Sequence, residues 1–322
     1  MTKVYIVETP YHLLISLVKT ILEKRLGKDV IIIYKKNFCI STIERLRNIF
    51  KNVLCFNTVD NIVNLLNLKI RQKKIPILSR FAKQNHNIDE IWLQDKDVYI
   101  FNDGNYYGCL LNHLKKTYTI IEDGLNSFSS SLAEVDQKKR HRLYSLLGFS
   151  WECFGKSKYT SSIEVNDISK MRIKYSNAVE VNREQLFCLL KKEDVELIAN
   201  VFDIKKLNIP QEQEASLLFT QPLSEDKIVS HEKKIRIYKH LVDTYAVGKL
   251  YIKVHPREKE NYSTLFPNAI ILGNNLVPFE VYLLTEKIRF RRAITVFSAA
   301  IDTISCADEK ISMGIEWMQK FK

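Results

Sequence analysis

The chain has 322 residues, 46% of them hydrophobic and 27% charged, a balance that suits a globular protein long enough for two domains. Lysine and arginine outnumber the acids 49 to 37, a net charge of +12, which favours an anionic substrate, an anionic membrane surface or nucleic acid as partner. No apolar run reaches the roughly 18 residues of a membrane helix, and six scattered cysteines without a CxxC pair speak against a zinc site or a disulfide framework.

The first residues lack the small-residue cleavage site of a signal peptide and read as strand then helix. Val4–Val7 is a short apolar strand. Thr9 is placed to cap a helix that has Pro10 at its first position, where the missing N–H costs nothing, and that runs to about Gly27. Val30–Tyr34 is continuously apolar, as a parallel strand covered on both faces should be. A helix over Thr42–Phe50, a strand at Val53–Phe56 and a helix from Asp60 to about Gln72 follow. Strands at Val98–Phe101 and Tyr118–Ile121 complete a first β/α series, and such alternation predicts a doubly wound parallel sheet. Residues 161–212 read as a helical bridge. A second series then begins, with strands at Ala215–Thr220, Leu250–Val254, Ala269–Leu272 and Ala293–Phe297 and a helix over Glu232–Ala246. The expected organisation is an α/β protein of two Rossmann-like halves, 1–160 and 213–322, joined by that bridge. Ligands of such sheets sit at the carboxyl ends of the strands and between domains. The closing segment GIEWMQKFK is expected to pack back on the N-terminal half.

Most of the chemistry-bearing clusters follow a predicted strand. Glu122-Asp123-Gly124 ends the fifth strand; as plain structure it is a solvated turn, and as chemistry it offers a general base beside a glycine that admits a ligand to the backbone. In Lys253-Val254-His255-Pro256 the proline restricts the histidine before it, which can serve a leaving phosphate or simply face solvent. Thr295-Val296-Phe297-Ser298 precedes a probable helix, where small hydroxyls suit phosphate oxygens or an ordinary cap. Glu280 in Pro278-Phe279-Glu280 can accept from ribose hydroxyls or merely begin a helix. Asn126, Gln221 and Pro256 flank these clusters and complete the candidate contacts to substrate and nucleotide. Asp95-Lys96-Asp97 has a metal–nucleotide spacing but lies in a polar loop, and GxGxxG, GxxxxGK[ST], G-x-S-x-G and HExxH are all absent. Walker-type nucleotide use, serine esterase chemistry and metal-dependent hydrolysis therefore lack support. The basic runs KIRQKK (69–74), QKKRHR (137–142) and KIRFRR (287–292) fit an anionic partner, and with no finger or RRM-type signature nucleic acid ranks last.

Taken together and in this order, EDG, KVHP, PFE and FSA resemble the motifs of bacterial sialyltransferases. The opening VYIVETPYHLL and TQPLSED at 220–226 look most like glycosyltransferase family 52, which contains lipooligosaccharide and capsule-type enzymes. The resemblance spans nearly the whole chain. It implies a GT-B-type fold with the site in the cleft between its halves, a CMP-sialic acid donor, inverting transfer, and no metal or other cofactor. Carried over, Asp123 matches the base and Gly124 the motif glycine, His255 the histidine beside the donor phosphate, Glu280 the ribose-binding glutamate and Ser298 the phosphate-binding serine. Where related families carry two adjacent serines this chain has Ser298-Ala299. Some members assign the base to an acid nearer the HP motif, so Asp226 and then Glu225 stand behind Asp123. The resemblance further favours a homodimer and a cytoplasmic enzyme in peripheral contact with anionic membrane. Two rival readings remain at this stage: a GT-B transferase using another nucleotide sugar, and a non-catalytic protein that binds glycans or polyanions.

Overall fold

The computed structural model describes residues 1–56, 93–123, 152–171, 173–204, 214–298 and 300–321. The chain divides into two compact units, Met1–Lys191 and Lys192–Lys322.

The first unit runs β1 (Lys3–Val7), α1 (Pro10–Leu22), β2 (Val30–Tyr34), α2 (Ile40–Leu46), β3 (Asn52–Phe56), β4 (Asp97–Ile100), α3 (Tyr106–His113), β5 (Tyr118–Ile121), β6 (Thr160–Val165), β7 (Ala178–Glu180) and α4 (Arg183–Cys188). Its strands form one sheet in the order β3-β2-β1-β4-β5-β6-β7, and every pairing is parallel. Strands β1 and β2 are buried almost throughout because they lie inside a sheet covered on both faces. Helix α1 is capped by Thr9, whose Oγ1 accepts from the His12 N–H at 3.2 Å, and it buries Leu13, Leu14, Leu17 and Val18, each contributing about 1.5–3 kcal/mol. It stops at Leu22, short of the expected Gly27. The N–H groups of Lys24 and Arg25 turn back onto the carbonyls of Ile21 and Thr20, with Lys24 in the left-handed region at φ 55°.

The span expected as a helical bridge instead adds β6 and β7 to this sheet. Strand β6, TSSIEV, buries every second or third residue and so shows little continuous apolar character. Gly108 in α3 has a steric reason: a Cβ there would lie 1.8 Å from the Asp103 carbonyl oxygen, so only glycine lets the turn after β4 close onto the helix.

The second unit runs α5 (Lys192–Phe202), β8 (Ala215–Phe219), α6 (His231–Tyr245), β9 (Lys249–Lys253), α7 (Tyr262–Leu265), β10 (Ile270–Ile271), α8 (Phe279–Thr285), β11 (Phe290–Thr295), α9 (Ala300–Thr303), β12 (Ala307–Ser312) and α10 (Ile315–Lys320). The sheet order is β10-β9-β8-β11-β12, again all parallel. Leu218, Ile237, Leu241, Ile252, Ile294 and Met318 share its core. The sequence expectation overlooked β12, since ADEKIS alternates exposed and half-buried positions at the sheet edge. Its Asp308 and Glu309 pair with Arg289, Arg291 and Arg292, so about half of the positive charge of the basic run KIRFRR is balanced within the fold. The closing segment, expected to reach the N-terminal half, packs within its own unit. Met318 is buried in its core, and the Trp317 and Phe321 rings lie 6.0 and 5.2 Å from His240 on α6. The other two basic runs and the helix expected from Asp60 lie outside the described residues. No helix among the described residues is long and apolar enough to cross a membrane.

Candidate active site

In the first unit the carboxyl ends of β1, β4 and β5 converge. Asp123 follows β5, and its Oδ1 lies 2.5 Å from His12 Nε2 in the first turn of α1. The other ring nitrogen of His12, Nδ1, accepts the Glu8 N–H at 3.2 Å, so the ring proton belongs on Nε2, facing the carboxylate. His12 is 1% exposed and stacks at 4.2 Å on Phe101, which follows β4. The Glu8 carbonyl accepts from Asn37 Nδ2 (2.6 Å) and its carboxylate from Asn105 Nδ2 (2.7 Å). The Asp123 side chain is about one-third exposed, with 35% of its surface open. The arrangement is thus a part-exposed carboxylate backed by a buried histidine whose ring is held from three sides.

Next to it, Glu122 turns the other way. Its carboxylate is buried and accepts the Asn166 N–H at 2.7 Å, while Asn166 Oδ1 accepts the Arg183 N–H at 2.8 Å. Burial raises the Glu122 pKa, and the Asn166 N–H and the Arg183 charge oppose the rise. Behind β4, Asp103 is buried and accepts from Phe154 N–H (2.6 Å) and Gly155 N–H (2.9 Å); burial still pushes its pKa up to about 6.

In the second unit the ends of β8, β9 and β11 form another polar cluster. His255 follows β9, and its Nδ1 accepts the Arg257 N–H at 3.2 Å, which leaves Nε2–H as the free donor of the neutral ring. Burial, then the positive charges of Arg257 and Lys253, lower its pKa to about 4. The loop carrying it is tied to a buried network. The His255 N–H donates to Thr220 Oγ1 (3.1 Å), Thr220 donates to Glu258, and Tyr262 OH donates to Glu258 at 2.5 Å. Lys234, fully buried on α6, meets Glu258 at 2.8 Å and Glu225 at 3.0 Å.

Burial alone would raise Glu225. The Lys259 N–H and the Lys234 ammonium outweigh it and hold that carboxyl at about 2, spoken for on both oxygens. Asp226 is bound by the Arg257 guanidinium at 2.5 Å. Lys253 is buried with its ammonium 3.5 Å from the Val254 and Asn275 carbonyls. Burial lowers it to about 8, while the Glu280 charge pulls it the other way. Glu280, half-buried in the first turn of α8, is raised by burial and eased by its own backbone N–H and by Lys253.

The sequence-derived residues thus fall into two groups. Asp123 belongs to the first unit. Asp226, Gln221, His255, Pro256, Glu280, Thr295 and Ser298 belong to the second. Pro256 is exposed in the turn after His255. Gln221 Oε1 accepts the Phe297 N–H at 3.2 Å, clasping the ends of β8 and β11. Thr295 has no exposed surface: its hydroxyl donates to the Phe219 carbonyl and accepts the Ser298 N–H, so it holds the frame behind Ser298 rather than facing a ligand. Ser298 Oγ accepts the Ala300 N–H at 3.3 Å and keeps its own proton to donate. Gly124 and Asn126 lie outside the described residues. Asp95 is exposed and bonded to Lys96, away from any candidate ligand set. Sequence reasoning did not single out His12, Arg183, Lys253 or Glu258. Lys253 had a signal in its place inside KVHP and His12 in its place inside VYIVETPYHLL, but the pairing of His12 with Asp123, 111 residues away, is beyond the reach of any local spacing.

Comparisons with known proteins bear on the family and the fold. The profile of Glycosyltransferase family 52 matches residues 28–313. An uncharacterised Haemophilus influenzae protein is 35% identical over 190 residues, a match covering 58% of this chain and 59% of that protein. Among solved structures, an α/β-galactoside α-2,3-sialyltransferase of Photobacterium phosphoreum superposes with a TM-score of 0.57 at 13% identity, over 97% of this chain and 90% of that one. A Photobacterium 2,6-sialyltransferase in a ternary complex with CMP and lactose also gives 0.57, at 12% identity, over 96% of this chain and 71% of that one. At such identity these structures show the fold, which is GT-B-like.

Proposed function

The chain belongs to glycosyltransferase family 52, and from that premise we propose that it transfers sialic acid from CMP-sialic acid to a galactose-terminated cell-surface glycan, such as a lipooligosaccharide or capsule precursor, with inversion and without a metal. The observation that carries this reading is the Asp123–His12 pair. Asp123 is a part-exposed carboxylate at the carboxyl end of a parallel strand, and a buried, tautomer-fixed imidazole donates to it. Such a group can take the proton of an attacking sugar hydroxyl while the histidine holds it in place and stabilises its charge.

The second cluster suits the leaving side. Departing CMP gathers negative charge on its phosphate, and preorganised donors aimed at that charge lower the barrier. The Nε2–H of His255 is such a donor, with Lys253 and Arg257 supplying positive potential around it and the Ser298 hydroxyl available beside α9. Glu280 is assigned to the ribose hydroxyls. Attack on one face as CMP leaves from the other inverts the anomeric centre in a single displacement. The family relation and the CMP- and lactose-bound fold neighbour support this donor and acceptor class. Asp226 is the weaker base, because the Arg257 guanidinium already holds its carboxylate.

The test is CMP release from CMP-sialic acid, with and without lactose and with EDTA present. Release stimulated by lactose and indifferent to EDTA is expected. No release, together with no thermal shift on adding CMP, overturns the reading, and UDP- and GDP-sugars are then the donors to try.

A further inference from the structure

The strand ends after β5, β6 and β7 hold a group that the transfer chemistry above does not use. Arg183 is 3% exposed, and neither terminal nitrogen of its guanidinium has a hydrogen-bond partner. The residue is firmly set all the same, since its backbone N–H is bound by Asn166, which in turn binds Glu122. Glu122 feels the Arg183 charge without bonding those nitrogens. A guanidinium cannot shed its proton, and a buried charge short of acceptors is among the costliest states a side chain can occupy. An anion that completes it removes that cost, and a planar carboxylate matches the guanidinium fork with two parallel bonds.

We propose that Arg183 binds a carboxylate of the sugar substrates, in a subsite two strands outward from Asp123. Neighbouring strands lie about 4.8 Å apart, so the ends of β5 and β7 are about 10 Å apart. An arginine side chain spans more than half of that gap, which is the reach needed for its fork to meet a saccharide whose reacting hydroxyl sits at Asp123. The identity of the anion rests on the sialyl-transfer reading. Two substrates present the same group: the donor, whose carboxylate is on the carbon under attack, and an acceptor ending in a sugar acid.

The first experiment needs no turnover. Thermal unfolding of the full chain is followed with N-acetylneuraminic acid and with its methyl ester, for the wild type and for Arg183→Gln. The acid should stabilise the wild type, the ester should not, and Arg183→Gln should abolish the difference. Equal effects of acid and ester on a wild type that does release CMP overturn the subsite and leave the transfer reading intact. Discrimination by a wild type that turns over no donor supports the subsite and counts against the transfer reading alone.

Kinetics then locate the carboxylate. A KM for CMP-sialic acid raised about 10–100-fold in acceptor-free release, the span expected for lost hydrogen bonds to a charged group, assigns it to the donor. The same rise for sialyllactose alone, with lactose unchanged, assigns it to the acceptor. A less stable variant with every KM unchanged marks Arg183 as structural and overturns the proposal. Should Arg183→Gln fail to fold, Arg183→Lys, which keeps the charge and loses the fork, is read in the same assays: weakened acid–ester discrimination supports the subsite, and full discrimination overturns it.

Discussion

At the scale of single residues, the proposed function puts its weight on two side chains, and each makes a prediction. Asp123→Ala should lower acceptor-dependent CMP release by about 10²–10⁴-fold, the range for loss of a general base. Acceptor-free release should fall less, because the attacking water there can pass its proton to bulk solvent. Near-wild-type transfer by a folded Asp123→Ala protein would remove it as base and promote Asp226. His255 makes a pH prediction. Its ordinary value near 6.5 is held at about 4 in the folded protein by burial and by the Arg257 and Lys253 charges. The unfolded chain therefore binds a proton that the folded one refuses between those values. Its contribution to stability is complete above about pH 6.5 and drains away as the pH falls towards 4. Urea midpoints measured in steps across that window should fall less steeply for His255→Gln than for the wild type; parallel slopes would sink the assignment. What the sequence disclosed at this scale was local. EDG and KVHP are contiguous and follow strands, so both could be read. The His12–Asp123 pair joins the first turn of α1 to the end of β5, and only the strand order β1-β4-β5 brings them together.

At the scale of elements, α6 is tied to the loop after β9 by one buried lysine. Lys234 has no exposed surface and lies between Glu225 and Glu258, and Glu258 in turn accepts from Thr220 and Tyr262 beneath the His255 loop. Lys234→Met should destabilise the protein by about 3–5 kcal/mol, the usual effect of leaving a buried charge without its partner. Lys234→Met combined with Glu258→Gln should recover part of that loss, and chemical denaturation measures both. A single variant as stable as the wild type would mean that solvent reaches the carboxylates. By contrast, Arg291→Ala on β11 should shift stability by no more than about 1 kcal/mol, since Arg291 is half exposed and surface ion pairs contribute little. Sequence periodicity found the strands that are apolar throughout, β1, β2 and β8. It missed β7 and β12, which lie at sheet edges with much of their surface open to water and so carry little apolar pattern. It ran α1 past Leu22 because a lysine, not a glycine, takes the left-handed turn that ends the helix.

At the scale of the molecule, a doubly wound α/β chain in two halves was readable from the alternation of strands and helices, a likeness to bacterial sialyltransferases from four short motifs in order, and family 52 from VYIVETPYHLL and TQPLSED. The extent of the first sheet was not, because β6 and β7 come from a polar stretch that resembles a linker. If the second unit receives the donor's nucleotide, CMP should raise the melting temperature of the whole chain by mass action, worth about 2.7 kcal/mol at a hundred times its Kd, and UMP should do less. Equal shifts by both would turn attention to other nucleotide donors. The strand order also bears on how the protein is made. β1 is made before the other strands of its sheet and lies inside it, flanked by β2 and β4. The wait for β4 is roughly ninety residues, about 5–20 s at ordinary rates of synthesis. Through that interval one side of a largely apolar strand lacks its neighbour, and the same holds for β8 until β11 is made. Each half thus has an aggregation-prone window during translation, so slower decoding between Phe56 and Asp97 should increase the nascent chain's dependence on chaperones.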